Sequence, residues 1–112
     1  MHIQIINFNL KDITDAELRS MADEVAPAFA NVPGLHGKIW LVDVDKNTYG
    51  GVYIWQDADA MQAYLASDLG KGVVGNPNFA NLSSRDFEVL SGPTAISGGP
   101  VAACLEATAG LA

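Results

Sequence analysis

Cysteine is almost absent from this chain: Cys104 is the single cysteine among 112 residues, so no intrachain disulfide can form. This cysteine usage fits a reducing compartment, and the cytoplasm is the expected location. The N-terminus lacks a basic segment followed by an apolar run, and no stretch approaches the roughly 20 apolar residues of a membrane span. The sequence therefore predicts a soluble protein without membrane attachment.

Positive charge is also scarce. Six lysines and arginines stand against thirteen aspartates and glutamates, which gives a formal net charge of -7. Such a surface repels a phosphate backbone, so binding of nucleic acid or of anionic lipid is not expected. Small neutral or aromatic ligands fit this charge better.

Groups of metal ligands are missing as well. The histidines His2 and His36 are far apart, the cysteine stands near the end of the chain, and no cluster has the spacing of a zinc site. Residues 43–47 open like a calcium loop, but Thr48 replaces the required glycine and Ile54 the bidentate glutamate. We therefore expect no metal.

One glycine-rich segment matches a nucleotide-binding pattern. Residues 70–75 read GKGVVG, but they follow a predicted helix instead of a strand and run into Asn76 and Pro77. This context argues against a dinucleotide site. A flexible loop that covers the sheet or a pocket is the better interpretation of residues 70–81.

The chain has enough apolar residues for one domain, since 49% of its residues are hydrophobic. We assign residues 1–97 to that domain and residues 98–112 to a C-terminal tail. The tail is rich in Gly, Ala and Pro, and residues 100–111 could form a short helix that packs on a partner subunit.

The order of the predicted elements is β, α, β, β, α, β. The first strand covers residues 3–10, a capping box at Thr14 and Glu17 begins the first helix, and residues 34–55 form two strands around a polar turn. The second helix begins near Asp57 and ends at Gly70, and the last strand covers residues 83–90. This order predicts an α+β, ferredoxin-like fold: a four-stranded antiparallel sheet with both helices on one face.

The two central strands carry bulky groups on both faces, because strand side chains alternate. One face of the first holds Lys38, Trp40 and Val42, and the other holds Ile39 and Leu41. The next strand likewise separates the pair Tyr53 and Trp55 from the pair Val52 and Ile54. Since the helices cover one face only, we expect a second copy of the chain to cover the other, which gives a homodimer.

Polar and aromatic side chains on the strands are the candidates for a ligand pocket. Aromatic walls with a few convergent polar groups suit a flat organic molecule. The alternative is that the tryptophans belong to the core or the dimer interface and that the cations lie on the surface. The candidates are Asn7, His36, Lys38, Trp40, Tyr53, Trp55 and Arg85.

Three segments resemble the YdhR family of putative monooxygenases: KIW at residues 38–40, GGVYIW at 50–55 and AYL at 63–65. The resemblance covers most of residues 3–97 and implies a dimeric α+β barrel. It also implies an activity, because related enzymes oxidise electron-rich polycyclic phenols with molecular oxygen and without metal or flavin. The resemblance therefore implies no cofactor, and a small aromatic substrate.

The resemblance implies roles for the candidate residues. Lys38 or Arg85 would stabilise a phenolate, His36 would take the proton, and Tyr53 or Asn7 would hydrogen-bond the oxygenated intermediate. Trp40 and Trp55 would form the walls of the substrate site. Haem-degrading relatives need an axial histidine near the second helix, and no histidine follows His36, so haem is not expected.

Three functions remain open at this point. The first is a cofactor-independent monooxygenase acting on phenolic or polycyclic aromatic molecules. The second is a non-oxidative cyclase or isomerase, which could use the same Lys, His and Tyr groups for proton transfer. The third is a module that binds an aromatic ligand without turnover, since this fold hosts unrelated functions.

Overall fold

A computed structural model of the chain describes residues 1–99. The strands form one antiparallel sheet in the order β2-β3-β1-β4, and they are β1 (His2–Leu10), β2 (Leu35–Asp43), β3 (Thr48–Trp55) and β4 (Phe79–Glu88). The helices are α1 (Asp15–Ala30), α2 (Ala58–Ala66), α3 (Asp68–Val74) and α4 (Ser91–Ser97). The ferredoxin-like arrangement is confirmed. The helix predicted within residues 100–111 lies outside the described residues.

The first helix begins where the capping box predicts. The Thr14 hydroxyl accepts a hydrogen bond from the Glu17 backbone N–H at 3.1 Å, and the Glu17 carboxylate accepts one from the Thr14 N–H at 3.0 Å. Pro27 lies inside α1, and the helix ends three residues later at Ala30. The helix therefore continues for less than one turn beyond the proline.

The hairpin of β2 and β3 closes as predicted, with Asn47 in a left-handed conformation at φ 48°. The Asn47 side chain also donates a hydrogen bond to the Leu10 carbonyl at 3.0 Å, which ties the turn to β1. At the other end of the hairpin, the register shifts between Leu35 and Gly37. After this irregularity Lys38 lies opposite Tyr53 and shares its face of the sheet.

The segment between the second helix and the last strand was predicted wrongly. Gly70 does not end a helix: α2 ends at Ala66, Ser67 caps α3, and Gly70 lies buried inside α3. A side chain at Gly70 would collide with the Tyr64 carbonyl oxygen, so glycine permits the close contact of the two helices. The expected flexible loop is thus helical up to Val74, and β4 begins at Phe79, before the predicted start of residues 83–90.

The segment between β4 and the tail contains a helix that was not predicted. Ser91–Ser97 form the short helix α4, although the Gly-, Ala- and Pro-rich sequence gave little sign of it. Its Ile96 side chain is 91% exposed, so α4 buries little apolar surface within the described part of the chain. None of the helices in residues 1–99 has the length and apolar character needed to cross a membrane.

Helices α1 to α3 pack on one face of the sheet, which we call the covered face and define by Gln4, Ile6, Phe8, Lys38, Trp40, Tyr49, Tyr53 and Trp55. Gln4 is fully buried there, and its side chain accepts a hydrogen bond from Trp55 Nε1 at 3.0 Å and donates one to Ser84 at 3.0 Å. The opposite, open face is defined by Ile3, Ile5, Asn7, Ile39, Leu41, Val52, Ile54, Arg85 and Phe87. The predicted division of the hairpin side chains between two faces is confirmed.

Candidate functional site

A cavity of about 370 Å³ lies between the covered face and helices α1 and α3. Most of its walls are apolar, with Phe29 and Val25 from α1 and Leu69 and Val73 from α3. The polar side chains that reach its lining are few: Arg19, Lys38, Tyr49, Tyr53, Asp68 and Asn76. A cavity of this size and composition suits a small, largely apolar molecule.

Lys38 is the cation at the centre of an aromatic cluster in this cavity. Its Nζ lies 3.4 Å from the centroid of the Trp40 ring, 3.6 Å from that of Phe29 and 4.8 Å from that of Tyr53. Within residues 1–99, the ion pairs are formed by other residues, and no carboxylate lies within ion-pair distance of this ammonium. Lys38 is therefore held by ring faces instead of an opposite charge.

The sequence around Lys38 explains its position. Lys38 points to the covered face because it is paired with Tyr53, and the neighbouring position on β3 is Gly51. A Cβ at Gly51 would lie 2.7 Å from Lys38 Cε, so the glycine leaves the space that the lysine stem occupies. Phe29 then reaches the ammonium from the last turn of α1.

Two effects act on the Lys38 ammonium in opposite directions. Burial lowers the pKa of Lys38 from 10.5 to about 7, because the charged form loses its hydration. Contacts with aromatic faces favour the charged form by about 2 kcal/mol, which corresponds to a rise of roughly 1.5 in pKa. Desolvation is the larger effect, so the neutral amine of Lys38 is more abundant near neutral pH than that of an exposed lysine.

Tyr53 forms the floor of the cavity beside Lys38. It is 1% exposed, its ring stacks on Trp55 with 6.0 Å between centroids, and its hydroxyl lies 3.4 Å from that of Tyr64. Burial raises the pKa of Tyr53 far above its ordinary value, because the phenolate would be desolvated. Tyr53 is therefore a neutral hydroxyl and can donate a hydrogen bond.

A hydrogen-bonded set of three side chains, Asp15, Arg19 and Tyr49, lies between α1 and β3 at one side of the cavity. The Tyr49 hydroxyl donates to Asp15 Oδ1 at 2.6 Å, and Arg19 Nε donates to Asp15 Oδ2 at 2.8 Å. The hydrogen bond from Tyr49, followed by that from Arg19, lowers the pKa of Asp15, and the same carboxylate raises the pKa of Tyr49. The three residues join the start of α1 to the sheet and fix one side of the cavity.

The structure brings three of the predicted site residues together: Lys38, Trp40 and Tyr53 all line the cavity. His36 lies outside it, in a smaller recess that Lys38 and Trp40 also line. Trp55 is 0% exposed and belongs to the core, where its indole N–H is bonded to Gln4. Its ring stacks on that of Tyr53, but it does not line the cavity.

The assignment of Asn7 and Arg85 to the same cavity was wrong. Asn7 is paired with Gly50 and Ser83, Arg85 is paired with Ile5, and all of these positions belong to the open face. The alternation along β1 and β4 directs both side chains away from the helices. Neither residue can touch a molecule held beside Lys38 in the same chain.

Sequence reasoning missed Phe29, Tyr49 and the residues of α3. Phe29 is the last member of an apolar stripe on α1 whose three- and four-residue spacing predicts that it packs on the sheet; the stripe consists of Leu18, Met21, Ala22, Val25 and Phe29. Nothing in the sequence indicates that this ring meets Lys38, because the contact depends on how the end of α1 crosses β2.

The cavity does not fit haem held by a histidine. In the part of the chain that the structure describes, no group of three or more His, Cys, Asp or Glu side chains could hold a metal ion. Neither His2 nor His36 lines the cavity, and His2 Nε2 lies 2.6 Å from an Asp86 carboxylate oxygen. An axial histidine for haem iron is therefore missing from these walls.

Comparison with known proteins gives a family and a set of related folds. A family profile described as "Putative mono-oxygenase ydhR" matches residues 3–100. The comparison with curated proteins gave no significant match.

Solved structures of the same fold include two enzymes with different chemistry. SnoaB, a cofactor-independent oxygenase from Streptomyces nogalater, is 23% identical, with a TM-score of 0.63 over 80% of this chain and 93% of that one. The heme-degrader MhuD from Mycobacterium tuberculosis is 26% identical, with a TM-score of 0.65 over 80% and 96%. A protein described as a putative antibiotic biosynthesis monooxygenase from Deinococcus radiodurans is 18% identical, with a TM-score of 0.66 over 80% and 92%. The predicted fold, that of the dimeric α+β barrel proteins, is confirmed.

Proposed function

The chain belongs to the ydhR family of putative mono-oxygenases, and on that premise we propose that it is a cofactor-independent monooxygenase acting on a phenolic or polycyclic aromatic molecule. The observation that carries the proposal is the position of Lys38, whose Nζ lies 3.4 Å from the Trp40 ring centroid in an apolar cavity. A phenol that enters this cavity meets aromatic walls and one amine. The likeness to SnoaB supports a reaction without a cofactor.

The first proposed step is ionisation of the phenol. The neutral Lys38 amine takes the phenolic proton, and the resulting ammonium pairs with the phenolate oxygen. The lowered pKa of Lys38 allows both halves of this exchange near neutral pH. His36 is not needed as the base, since it lies outside the cavity.

The second proposed step is the attack of the electron-rich anion on molecular oxygen. The ring carbon opposite the phenolate oxygen, which carries one hydrogen, forms a C–O bond with O₂; the peroxide then breaks its O–O bond, and hydroxide departs as this carbon loses its hydrogen and becomes a carbonyl. The overall change is HO–Ar–H + O₂ → O=Ar=O + H₂O, so oxygen itself is the oxidant. Lys38 returns its proton to the departing hydroxide, and the role of Tyr53 as a hydrogen-bond donor to the oxygenated intermediate stays a prediction.

Oxygen uptake with a panel of phenols, hydroquinones and anthrone-like polycyclic phenols tests the proposal. We expect Lys38→Ala to lower kcat/KM by about 100-fold or more, since it removes the proton acceptor. Trp40→Phe keeps an aromatic wall and should have a smaller effect, mainly on KM. Lys46→Ala is the control, because Lys46 is an exposed lysine in the hairpin turn.

Two outcomes would contradict the oxygenase and favour the other functions. Product formation without oxygen uptake would indicate a cyclase or isomerase that uses the same amine. Tight binding of aromatic ligands with no product from any of them would indicate a binding module.

The finer assignments of partner and location are also proposals. The open face carries the aliphatic side chains of Ile39 (56% exposed) and its neighbours, and a second copy of the chain would cover them as a homodimer. The single cysteine supports a reducing location such as the cytoplasm.

A further inference from the structure

We propose that Lys38 is a carbonyl-reactive amine whose Nζ forms an imine with an apolar aromatic aldehyde or ketone held in the cavity. This activity differs from the proposed oxidation, because it uses neither oxygen nor a phenol. It would make the protein a reversible covalent binder of aromatic carbonyl compounds.

The surroundings of Lys38 set it apart from the other lysines. Its amine faces a cavity of about 370 Å³ and three aromatic rings, whereas Lys11, Lys46 and Lys71 are exposed. Within residues 1–99 no carboxylate forms an ion pair with Lys38, so no opposite charge favours its ammonium over the neutral amine that attacks a carbonyl. An aromatic carbonyl compound would gather beside Nζ because the walls favour it.

The chemical step balances with groups that are present. The neutral amine adds to the carbonyl carbon, the C–N bond forms, and the carbonyl oxygen becomes a hydroxyl. Loss of that hydroxyl as water, with one proton taken from solvent, leaves the protonated imine. The iminium nitrogen remains a cation at the position of Nζ, so the ring contacts that hold the ammonium also hold the product.

Reaction near neutral pH requires a neutral amine, and burial of Lys38 provides it. The charged or titratable groups that line the same cavity come from each element packed against it: Arg19 from α1, Tyr49 and Tyr53 from β3, and Asp68 from α3. His36 lines the adjoining recess on β2. Asp68 is the carboxylate of this set and is not ion-paired with Lys38, so no opposite charge offsets the burial that disfavours the ammonium.

Reductive trapping tests the proposal on the native chain. The protein is incubated with 2-naphthaldehyde and sodium cyanoborohydride, and each amine, including the α-amino group, is quantified by peptide mass mapping. At neutral pH we expect Lys38 to be modified at least about ten-fold faster than Lys46, because a larger fraction of Lys38 is the neutral amine. Glyoxylate, a small polar aldehyde, should not show this preference.

Two controls show whether the preference for Lys38 comes from the folded cavity or from ordinary lysine reactivity. The preference for Lys38 should disappear in concentrated urea, and Trp40→Leu should reduce it in the folded protein, because an aromatic wall is lost. Modification of native Lys38 no faster than Lys46, or a preference that persists in urea, would overturn the proposal. Neither result depends on oxygen uptake, so the failure of one proposal is distinct from the failure of the other.

Discussion

Along β3 the side chains alternate between the two faces of the sheet, and their burial alternates with them. Tyr53 and Trp55 point to the covered face and are 1% and 0% exposed, whereas Val52 and Ile54 point to the open face and are only partly buried. The covered face is rich in aromatic rings and buried polar groups. The open face is mostly aliphatic, with Arg85 beside Phe87.

This difference separates two kinds of apolar surface. The covered face needs rings and hydrogen bonds because it forms both the core and the cavity, and its polar atoms must find partners away from water. The open face needs only a flat apolar surface, which is what an interface between two sheets requires. Whether a residue on this sheet can touch a ligand therefore depends first on its face.

The largest expected effect is on the free energy of unfolding, and it differs between two adjacent isoleucines on β1 that point to opposite faces. Ile6 is 1% exposed on the covered face, and Ile5 is partly buried on the open face. Ile6→Ala should lower the free energy of unfolding by about 3–4 kcal/mol, because it leaves a cavity in a packed core. Urea denaturation at low protein concentration measures it, and Ile5→Ala is the matched control, with a loss of about 1 kcal/mol or less. Equal losses would show that the faces are equally packed in one chain.

The next effect compares the cations Lys38 and Arg85, one on each face. The pKa of Lys38 is 10.5 when unfolded and about 7 when folded, so the unfolded chain binds more protons between these values. Stability should therefore rise as pH increases from about 7 toward 10.5, by about 3 kcal/mol after the ring contacts are included. Lys38→Met should abolish this rise and stabilise the protein at neutral pH. Unfolding curves across this pH range measure it.

Arg85→Met is the control for that comparison, since Arg85 is an exposed cation on the open face. It should leave the increase in stability with pH unchanged. If Arg85→Met removed the increase and Lys38→Met did not, the burial of the Lys38 ammonium would be excluded as its cause.

A smaller effect is expected for association through the open face. Val52→Asp places a carboxylate among Val52's aliphatic neighbours, so the Kd of the proposed homodimer should rise about 30-fold, which corresponds to about 2 kcal/mol. Sedimentation velocity at micromolar concentration measures it. Ala28→Asp, on the exposed surface of α1, should leave the dimer intact. A wild-type chain that sediments as a monomer under these conditions would contradict the dimer itself.

Much of the fold could be predicted from the sequence because its signals are local. The capping box at Thr14 and the alternation in residues 38–55 each depend on neighbouring residues only. The helix α3 could not be predicted in the same way. Gly70 has the usual appearance of a helix stop, and its real function, to admit the Tyr64 carbonyl oxygen, depends on a contact between two helices.

The site could be predicted only in part, for a related reason. The alternation showed that Lys38 and Trp40 share a face, but not which face the helices cover. Asn7 was assigned to the cavity because its polar side chain suggested a role, whereas its register with Ser83 places it on the open face. Phe29 was missed because it comes from a distant segment.

The smallest expected effect compares two tryptophans on the covered face. Trp55 Nε1 donates to Gln4 Oε1 in the core, whereas Trp40 is 40% exposed at the edge of the cavity. Trp55→Phe should lower the free energy of unfolding by about 1.5 kcal/mol, because the buried amide oxygen of Gln4 loses its donor. Trp40→Phe should lower it less. Combining Gln4→Met with Trp55→Phe should recover part of the loss, since two apolar side chains leave no buried oxygen unpaired. Denaturant unfolding of the variants measures these losses. If the double variant loses more free energy of unfolding than the two single variants lose together, the core requires the ring volume of Trp55 and not its hydrogen bond.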